Sequence, residues 1–384
     1  MVPEHKLDSE QRAVLDALLK GKKSDWIRGF AGSGKSVILM HSLRETLIRE
    51  PRANACVVAF THALKDMLTT GLPANARHIQ VMTYHEFKNE HHDEFFDYIF
   101  VDEVQDLESD ILVLLENRCQ RLIMAGDEQQ SIYEGRVSPD EIKRQTSPTM
   151  HILTIVHRLS EKLRKIVEKI LPSARLHTAK QGNTNAEVKI SLANAAKQQN
   201  EYRWVWKHAR KFAQVGDPVC ILLPKHRMVQ DFIDFVCADE RVPRPEYKDE
   251  RGRRCYESCN DHLAGNGLLL RYLGNGHGTL DESDQESIVY VMTYHSSKGL
   301  DFETVFLPGM DSGLSIFKKS NENLERTLFY VASTRSRRNL FISYSGDRPH
   351  PFVAAMPKNL IHNIAISDGT GSSDNPDSDD DDYY

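Results

Sequence analysis

The stretch Asp25-Trp26-Ile27-Arg28-Gly29-Phe30-Ala31-Gly32-Ser33-Gly34-Lys35-Ser36 starts as a short aromatic and β-branched run. It turns through glycines and passes into a helical pattern from Val37 to Ile48. Its second half is an unbroken G-x-x-x-x-G-K-S. Glycines at this spacing let backbone N–H groups curl around phosphate oxygens, and the start of the following helix adds its positive end. Lys35 is then placed for the β- and γ-phosphates and Ser36 for Mg²⁺. The competing reading, a glycine-rich turn with a surface lysine, lacks a reason for the strand before it and the helix after it.

Working outward, short apolar runs alternate with helical patterns, which predicts parallel sheets covered by helices, an α/β fold. The expected strands of the first half are Asp25–Arg28, Cys56–Phe60, Ile79–Thr83, Tyr98–Val101 and Arg121–Ala125. A second series begins near His151 and continues through Val188–Ser191, Val219–Leu223, Ile288–Thr293, Thr304–Leu307 and Asn339–Ser343. Helices are expected over Leu159–Ile170 and Gln198–Phe212. The division is into residues 1–150 and 151–367. The stretch 242–287 is rich in Gly, Asn, Arg and Asp without clean periodicity and reads as an insertion or long loop in the second domain.

Length and composition agree with that division. A chain of 384 residues, 40% hydrophobic and 27% charged, exceeds what one core usually serves. No run approaches the roughly 20 apolar residues that span a bilayer, which argues against a membrane protein. Six scattered cysteines and an N-terminus without an apolar core make a reducing, cytoplasmic setting the expectation. The formal charge of −6 is uneven. Residues 368–384 hold seven Asp and no Lys or Arg, and without them residues 1–367 carry +1. That tail reads as disordered: a solubility aid, a competitor for a basic groove or a segment that docks on a basic partner.

A second signal completes the nucleotide site. Tyr98-Ile99-Phe100-Val101-Asp102-Glu103 sets two carboxylates at the end of an apolar strand. Asp102 is suited to assist the metal and Glu103 to orient or deprotonate the attacking water.

In order along the chain, further motifs resemble those of the superfamily-1 helicases of the UvrD/Rep/PcrA type. Leu7-Asp8-Ser9-Glu10-Gln11 is similar to the adenine-reading glutamine motif, and Gly29–Ser36 is the phosphate loop. Ala59-Phe60-Thr61-His62 and Thr83-Tyr84-His85-Glu86-Phe87 resemble strand-contacting motifs. Asp102-Glu103-Val104-Gln105-Asp106 is close to D-E-x-Q-D, and Gly126-Asp127-Glu128-Gln129-Gln130-Ser131-Ile132-Tyr133 to G-D-x-x-Q-S-I-Y. His157-Arg158-Leu159-Ser160 stands where the family has Y-R-S. Thr293-Tyr294-His295-Ser296-Ser297-Lys298-Gly299-Leu300-Asp301-Phe302 and Tyr330-Val331-Ala332-Ser333-Thr334-Arg335 complete the series.

The resemblance implies two RecA-like P-loop NTPase domains with Mg-ATP in the cleft and single-stranded or tailed duplex DNA across both. It implies Gln11 and His157 at the adenine, and Gly29, Gly32, Ser33, Gly34, Lys35, Ser36, Gly299 and Asp301 around the nucleotide. Gln130 would sense the γ-phosphate while Arg158 and Arg335 stabilise it. Phe60 and Tyr84 would stack bases, and Thr61, Thr83, His85, Thr293 and His295 would hold the strand. Core packing is the competing role for Phe60 and Tyr84. By the same resemblance, movement along DNA would be 3′→5′.

Three features depart from the family pattern. Gly135 occupies the place of a base-stacking tryptophan, and His157 that of a tyrosine. Only about 15 residues separate Phe87 from Asp102 and about 135 separate Arg158 from Thr293, so accessory domains are missing from both gaps. An alternative is therefore a nucleic-acid-sensing ATPase switch that gates a partner nuclease or a repair or defence complex. Cys255-x3-Cys259-x2-His262, with Cys237 more distant, is a weak zinc pattern beside ordinary loop thiols.

Overall fold

The computed structural model describes residues 3–367 apart from 73, 183–187, 249–251, 253, 275, 279, 281–286 and 317–320. The acidic stretch 368–384 lies outside the described residues. Two all-parallel sheets organise the rest.

The first half runs α1 (Ser9–Lys20), β1 (Asp25–Gly29), α2 (Lys35–Arg49), β2 (Ala55–Ala59), α3 (His62–Thr70), β3 (Gln80–Thr83), α4 (Tyr84–Glu90), β4 (Phe96–Val101), α5 (Ser109–Asn117), β5 (Cys119–Gly126), α6 (Pro139–Thr146) and β6 (Thr149–Leu153). The six strands lie in the order β3-β2-β4-β5-β1-β6. Successive residues point to opposite faces, so Ile27, Val57, Phe100 and Ile123 enter one core while Trp26, Val58, Ile99 and Leu122 enter the other. Burial on both faces explains why these strands read as continuous apolar runs.

The second half runs β7 (Ile155–Val156), α7 (Glu161–Ile170), β8 (Lys180–Gln181), β9 (Lys189–Ala195), α8 (Gln198–Gln214), β10 (Val219–Leu223), α9 (His226–Asp239), α10 (Glu257–Gly265), β11 (Leu270–Tyr272), β12 (Val289–Thr293), β13 (Phe302–Leu307), α11 (Glu322–Ser333), β14 (Ser336–Ser345), α12 (Pro351–Ala354) and β15 (His362–Ala365). Its seven-stranded sheet has the order β11-β12-β10-β13-β14-β9-β15. The core on one of its faces also takes in Ala31, Ala63 and Ile132 from the first half, so the two halves share apolar packing.

Two expectations need correction. The strand near His151 belongs to the first sheet, where β6 pairs with β1. A buried polar knot holds it there: Asp25 accepts from Arg121 Nε at 3.1 Å and pairs with His151 Nε2 at 2.8 Å, tying β1, β5 and β6 together. The stretch 242–287 is not simply a loop either. It supplies α10 and the edge strand β11, with Tyr256 stacked on Tyr272 at 3.6 Å. Its short elements pack through aromatics, without the periodicity a longer amphipathic element would show.

Candidate functional site

At the carboxyl end of β1 the chain turns through Gly32 (φ 75°) and Gly34 (φ 88°), in the left-handed region that favours glycine. A Cβ on Gly32 would lie 2.7 Å from the Arg158 Cβ, and one on Gly34 2.4 Å from Gln11 Nε2. The loop is therefore closed on by its neighbours. Gln11 donates to the Ser33 carbonyl at 3.0 Å and accepts from the Asp8 N–H at 3.2 Å, so both ends of its amide are engaged while it also lines the cleft. Lys35 opens α2 and donates to the carbonyls of Gly29 (3.0 Å) and Phe30 (3.1 Å).

The same helix α1 grips the connection between the halves. Its Glu10 accepts from Thr154 N–H at 2.6 Å and Ile155 N–H at 3.0 Å. His157 donates its backbone N–H to Gly32 at 2.9 Å, and its ring Nε2 meets Asp8 at 2.6 Å. The linker is thus attached to the phosphate loop itself.

The acids follow β4 and β5. Asp102 is buried, and burial first, then Glu103, pushes its pKa up to about 7. Burial would raise Glu103 too, but Lys298, Lys35, Gln105 and Arg335 outweigh it and hold that carboxyl below its ordinary value. Glu103 sits at φ 57°, an unfavourable backbone for a residue with a Cβ, and accepts from Gln105 Nε2 at 2.5 Å. Gln130 is buried and donates to Asp127 Oδ2 at 2.8 Å.

Residues of the second half close the cleft. Its volume is about 770 Å³, and its lining includes Gln11, Gly32, Gly34, Lys35, Ser36, Glu103 and Gln130 from the first half with His157, Arg158, Gly299, Asp301 and Arg335 from the second. Arg335 is buried and donates to Leu300 O at 2.9 Å and to Gln130 Oε1 at 3.4 Å. Burial, then the Arg158 guanidinium, presses its pKa down to about 9. Two guanidiniums lining one cleft favour an anion there. Asp301 lies 3.9 Å from Arg158, and burial's upward push on it is overcome by Arg158 and Arg337.

Ser33 Oγ, Asp102 Oδ2 and Arg158 Nε are buried without a hydrogen-bond partner among the described residues. Buried polar groups are normally paired, so a cluster of unpaired ones around a glycine cradle fits a ligand that supplies the partners. The donor set fits Mg²⁺-nucleotide: a hydroxyl at Ser36, a free carboxylate oxygen at Asp102, and backbone, ammonium and guanidinium groups for phosphate.

The strand-contacting candidates are arranged differently. Phe60 and Tyr84 are buried and stacked on each other at 5.2 Å, which corrects the expectation that both offer open faces to bases. Tyr133 packs on Phe60 at 4.8 Å and on His295 at 5.5 Å, and the Arg136 guanidinium lies 5.8 Å from the Phe60 ring. Thr61 caps α3 through Leu64 N–H, Thr83 caps α4 through Glu86 N–H, and Thr293 Oγ1 lies 2.9 Å from Ser296 Oγ. His85 is exposed. His295 is pressed down to about 4, first by burial and then by His226, and so is neutral at physiological pH.

The pattern Cys255-x3-Cys259-x2-His262 does not converge. Cys259 is buried in the same core as Cys237, and His262 bonds the Pro243 carbonyl. Cys255, Glu257 and His277 do bring ligand atoms within 4.8 Å of one another, but Glu257 is exposed and no fourth such residue joins them among the described residues.

Local sequence does not reveal Lys298 as a functional candidate, because its partner Asp106 is 192 residues away. The roles of Asp106 and Asp127 likewise depend on contacts made only in the fold.

Residues 268–347 match the model of the UvrD-like helicase C-terminal domain, and residues 11–136 match an AAA domain. The chain is 36% identical over 104 residues to DNA helicase II of Haemophilus influenzae and 34% identical over 101 residues to ATP-dependent DNA helicase PcrA of Staphylococcus aureus. These matches support a superfamily-1 helicase of the UvrD/Rep/PcrA type. The two matches take in 23% and 22% of this chain and 14% of each relative. ATP-dependent DNA helicase Rep of Buchnera aphidicola is 47% identical over 64 residues, 16% of this chain and 10% of that protein. The chain thus spans only a small part of the length of these relatives. A solved C-terminal domain of a possible DNA helicase from a Lactobacillus covers 54% of this chain and 98% of its own at a TM-score of 0.35 and 14% identity. No helix among the described residues is long and apolar enough to cross a membrane.

Proposed function

We propose that this chain is an ATP-driven motor that moves along single-stranded DNA, with 3′→5′ travel, and displaces the complementary strand from tailed duplexes. The reading is carried by one observation: Lys35 at the start of α2 and Arg335 between α11 and β14, from different halves of the chain, line the same cleft. A triphosphate between them bonds both halves at once, so binding draws the halves together and loss of the γ-phosphate lets them part.

In this reading the phosphate-loop backbone and Lys35 bind the β- and γ-phosphates, while Gln11 and His157 border the base. Ser36 and Asp102 would hold Mg²⁺, which when bound neutralises phosphate charge. Glu103, kept ionised by the cations around it, orients the attacking water and takes its proton. Arg158 and Arg335 stabilise charge on the transferring phosphoryl oxygens. Gln130, bonded to both Arg335 and Asp127, carries the presence of that phosphate toward Tyr133 and the strand groove.

The second reading is an ATPase switch that senses nucleic acid and gates a nuclease or repair or defence partner. It is favoured by the stacking of Phe60 on Tyr84 and the packing of Tyr133 on Phe60 beside Arg136, with Gly135 where a stacking ring would stand. One pair of assays separates the two. ATP hydrolysis stimulated by single-stranded DNA is measured beside strand displacement on duplexes with 3′ or 5′ tails. Displacement from 3′ tails supports the motor; stimulated hydrolysis with no displacement on either tail supports the switch. No hydrolysis in either condition sinks both.

A further inference from the structure

Lys298 presents a buried cation outside the nucleotide cleft. It leaves the segment after β12, in the second half, and its side chain is 1% exposed. Its ammonium contacts Asp106 Oδ2 and the Gln130 carbonyl in the first half, and Glu103 Oε2 lies 3.9 Å away. It does not line the cleft in which Lys35 and Arg335 meet. Few single side chains touch so many parts of the hydrolytic apparatus without facing the phosphates.

The geometry is specific. Gln130 is held at two points from the second half: Arg335 takes its side-chain oxygen and Lys298 its main-chain oxygen. With the donation to Asp127, this fixes the residue's backbone and its carboxamide together. Asp106 is fully buried, its Oδ1 has no hydrogen-bond partner among the described residues, and its nearest cation is this lysine from the other half. A buried charge that loses its partner is strongly disfavoured unless water reaches it. Parting the halves would break both the Lys298 contacts and the Arg335–Gln130 bond.

We propose that Lys298 is a positioning residue for hydrolysis: by bridging Asp106 and the Gln130 main chain across the two halves, it sets Gln130 and Glu103 in the register that Arg335 completes. This rests on the ATPase reading given above. Lysine suits the task because a compact ammonium offers three donors in different directions, and three oxygens surround it. A methionine would match its length and lose every donor; an arginine would keep the charge and some donors.

The experiment compares full-length wild type, Lys298→Met, Lys298→Arg and Asp106→Asn in DNA-stimulated ATPase assays. Binding of a fluorescent nucleotide and thermal melting are measured alongside. Misplacement at a distance from the reacting atoms costs about 10²-fold. Lys298→Met is therefore expected to lower kcat by about that factor, with KM and nucleotide affinity within about threefold of wild type, since no nucleotide contact is removed. Lys298→Arg should recover about tenfold of the loss. Should Lys298→Met not fold, Asp106→Asn keeps the shape of the pair and reads the same parameters. Wild-type kcat in either folded variant, or a rise in KM with kcat unchanged, overturns the proposal. A wild type without ATPase activity refutes the underlying reading instead, so the two failures are distinguishable.

Discussion

The proposed nucleotide cleft and the proposed strand-contacting residues were read from motifs of similar length, yet their polar atoms are differently paired. Around the cleft, Ser33 Oγ, Asp102 Oδ2 and Arg158 Nε are buried and unpaired. Among the strand-contacting candidates, Thr61 and Thr83 cap helices, Thr293 pairs with Ser296, and Tyr84 and Tyr133 both pack on Phe60, although Arg136 Nε beside them is also unpaired. The unpaired polar atoms around the cleft fit a phosphate and metal partner, whereas most of the strand-contacting candidates are bonded within the fold. Loss of a cleft residue should therefore cost chemistry, and loss of a groove residue should first cost stability.

The largest effect tests the cleft directly. Arg335→Ala is expected to reduce DNA-stimulated kcat by about 10³-fold, the lower range for a charge that meets the transferring phosphoryl group. Glu103→Gln should lose turnover while nucleotide still binds. Steady-state ATPase and equilibrium nucleotide binding read both variants, and activity within tenfold of wild type would remove Arg335 from the phosphate.

Gly32→Ala attacks the cleft from its scaffold. The new methyl meets Arg158 Cβ at 2.7 Å on a backbone at φ 75°. Either the loop or the start of the second half must shift. A kcat loss of about 10²-fold is expected from misplacement alone, accompanied by a lower melting temperature. An unaffected enzyme would show that the contact between loop and linker does not transmit.

Thr83→Val is the groove's counterpart. Its hydroxyl accepts from Glu86 N–H at 3.2 Å, and Glu86 returns a bond to Thr83 N–H at 2.7 Å, a reciprocal cap on α4. Loss of such a cap costs about 1 kcal/mol. The melting temperature should fall by about 2–4 °C while DNA-free ATPase stays at wild-type level. A large ATPase loss without a change in melting would mean that the groove is as poised as the cleft.

This contrast also marks how far the sequence could be read. The phosphate loop, Asp102-Glu103 and the first-half strands were legible because each depends on neighbours within a few residues: a glycine where φ is positive, an acid at a strand end, apolar residues on both faces. Lys298 and Asp106 stood in quoted motifs, but their meaning arises from a contact across 192 residues. Phe60 and Tyr84 were read as strand platforms because an aromatic after a strand looks the same whether its face is open or covered. β6 was assigned to the second series because its own residues carry no mark of the neighbour it pairs with, β1, more than a hundred residues earlier. Likewise β11 is only three residues long, too short for periodicity to appear.

The smallest effect asks whether an unpaired buried oxygen always signals a ligand. Glu201, on α8, is buried; its Oε1 accepts from Gly309 N–H at 2.7 Å and Ser343 Oγ at 2.7 Å, while Oε2 has no partner among the described residues. It resembles Asp102 in that respect, but Asp102 adjoins the cleft-lining Glu103, whereas Glu201 adjoins no cleft-lining residue in the chain. Burial raises its pKa above the ordinary value, overcoming the bonds from Gly309 and Ser343. With the folded pKa above the unfolded one, the native state holds the proton longer, so stability falls as pH rises through the interval between the two values. Glu201→Gln removes the charge and the titration together. The variant's melting temperature should exceed wild type by about 2 °C at pH 8, with the gap narrowing toward pH 5, and its ATPase should be unchanged. If stability proves independent of pH in both proteins, the Glu201 carboxyl carries no such cost. If ATPase falls instead, the second half holds a site whose unpaired oxygen serves turnover as the one at Asp102 is proposed to do.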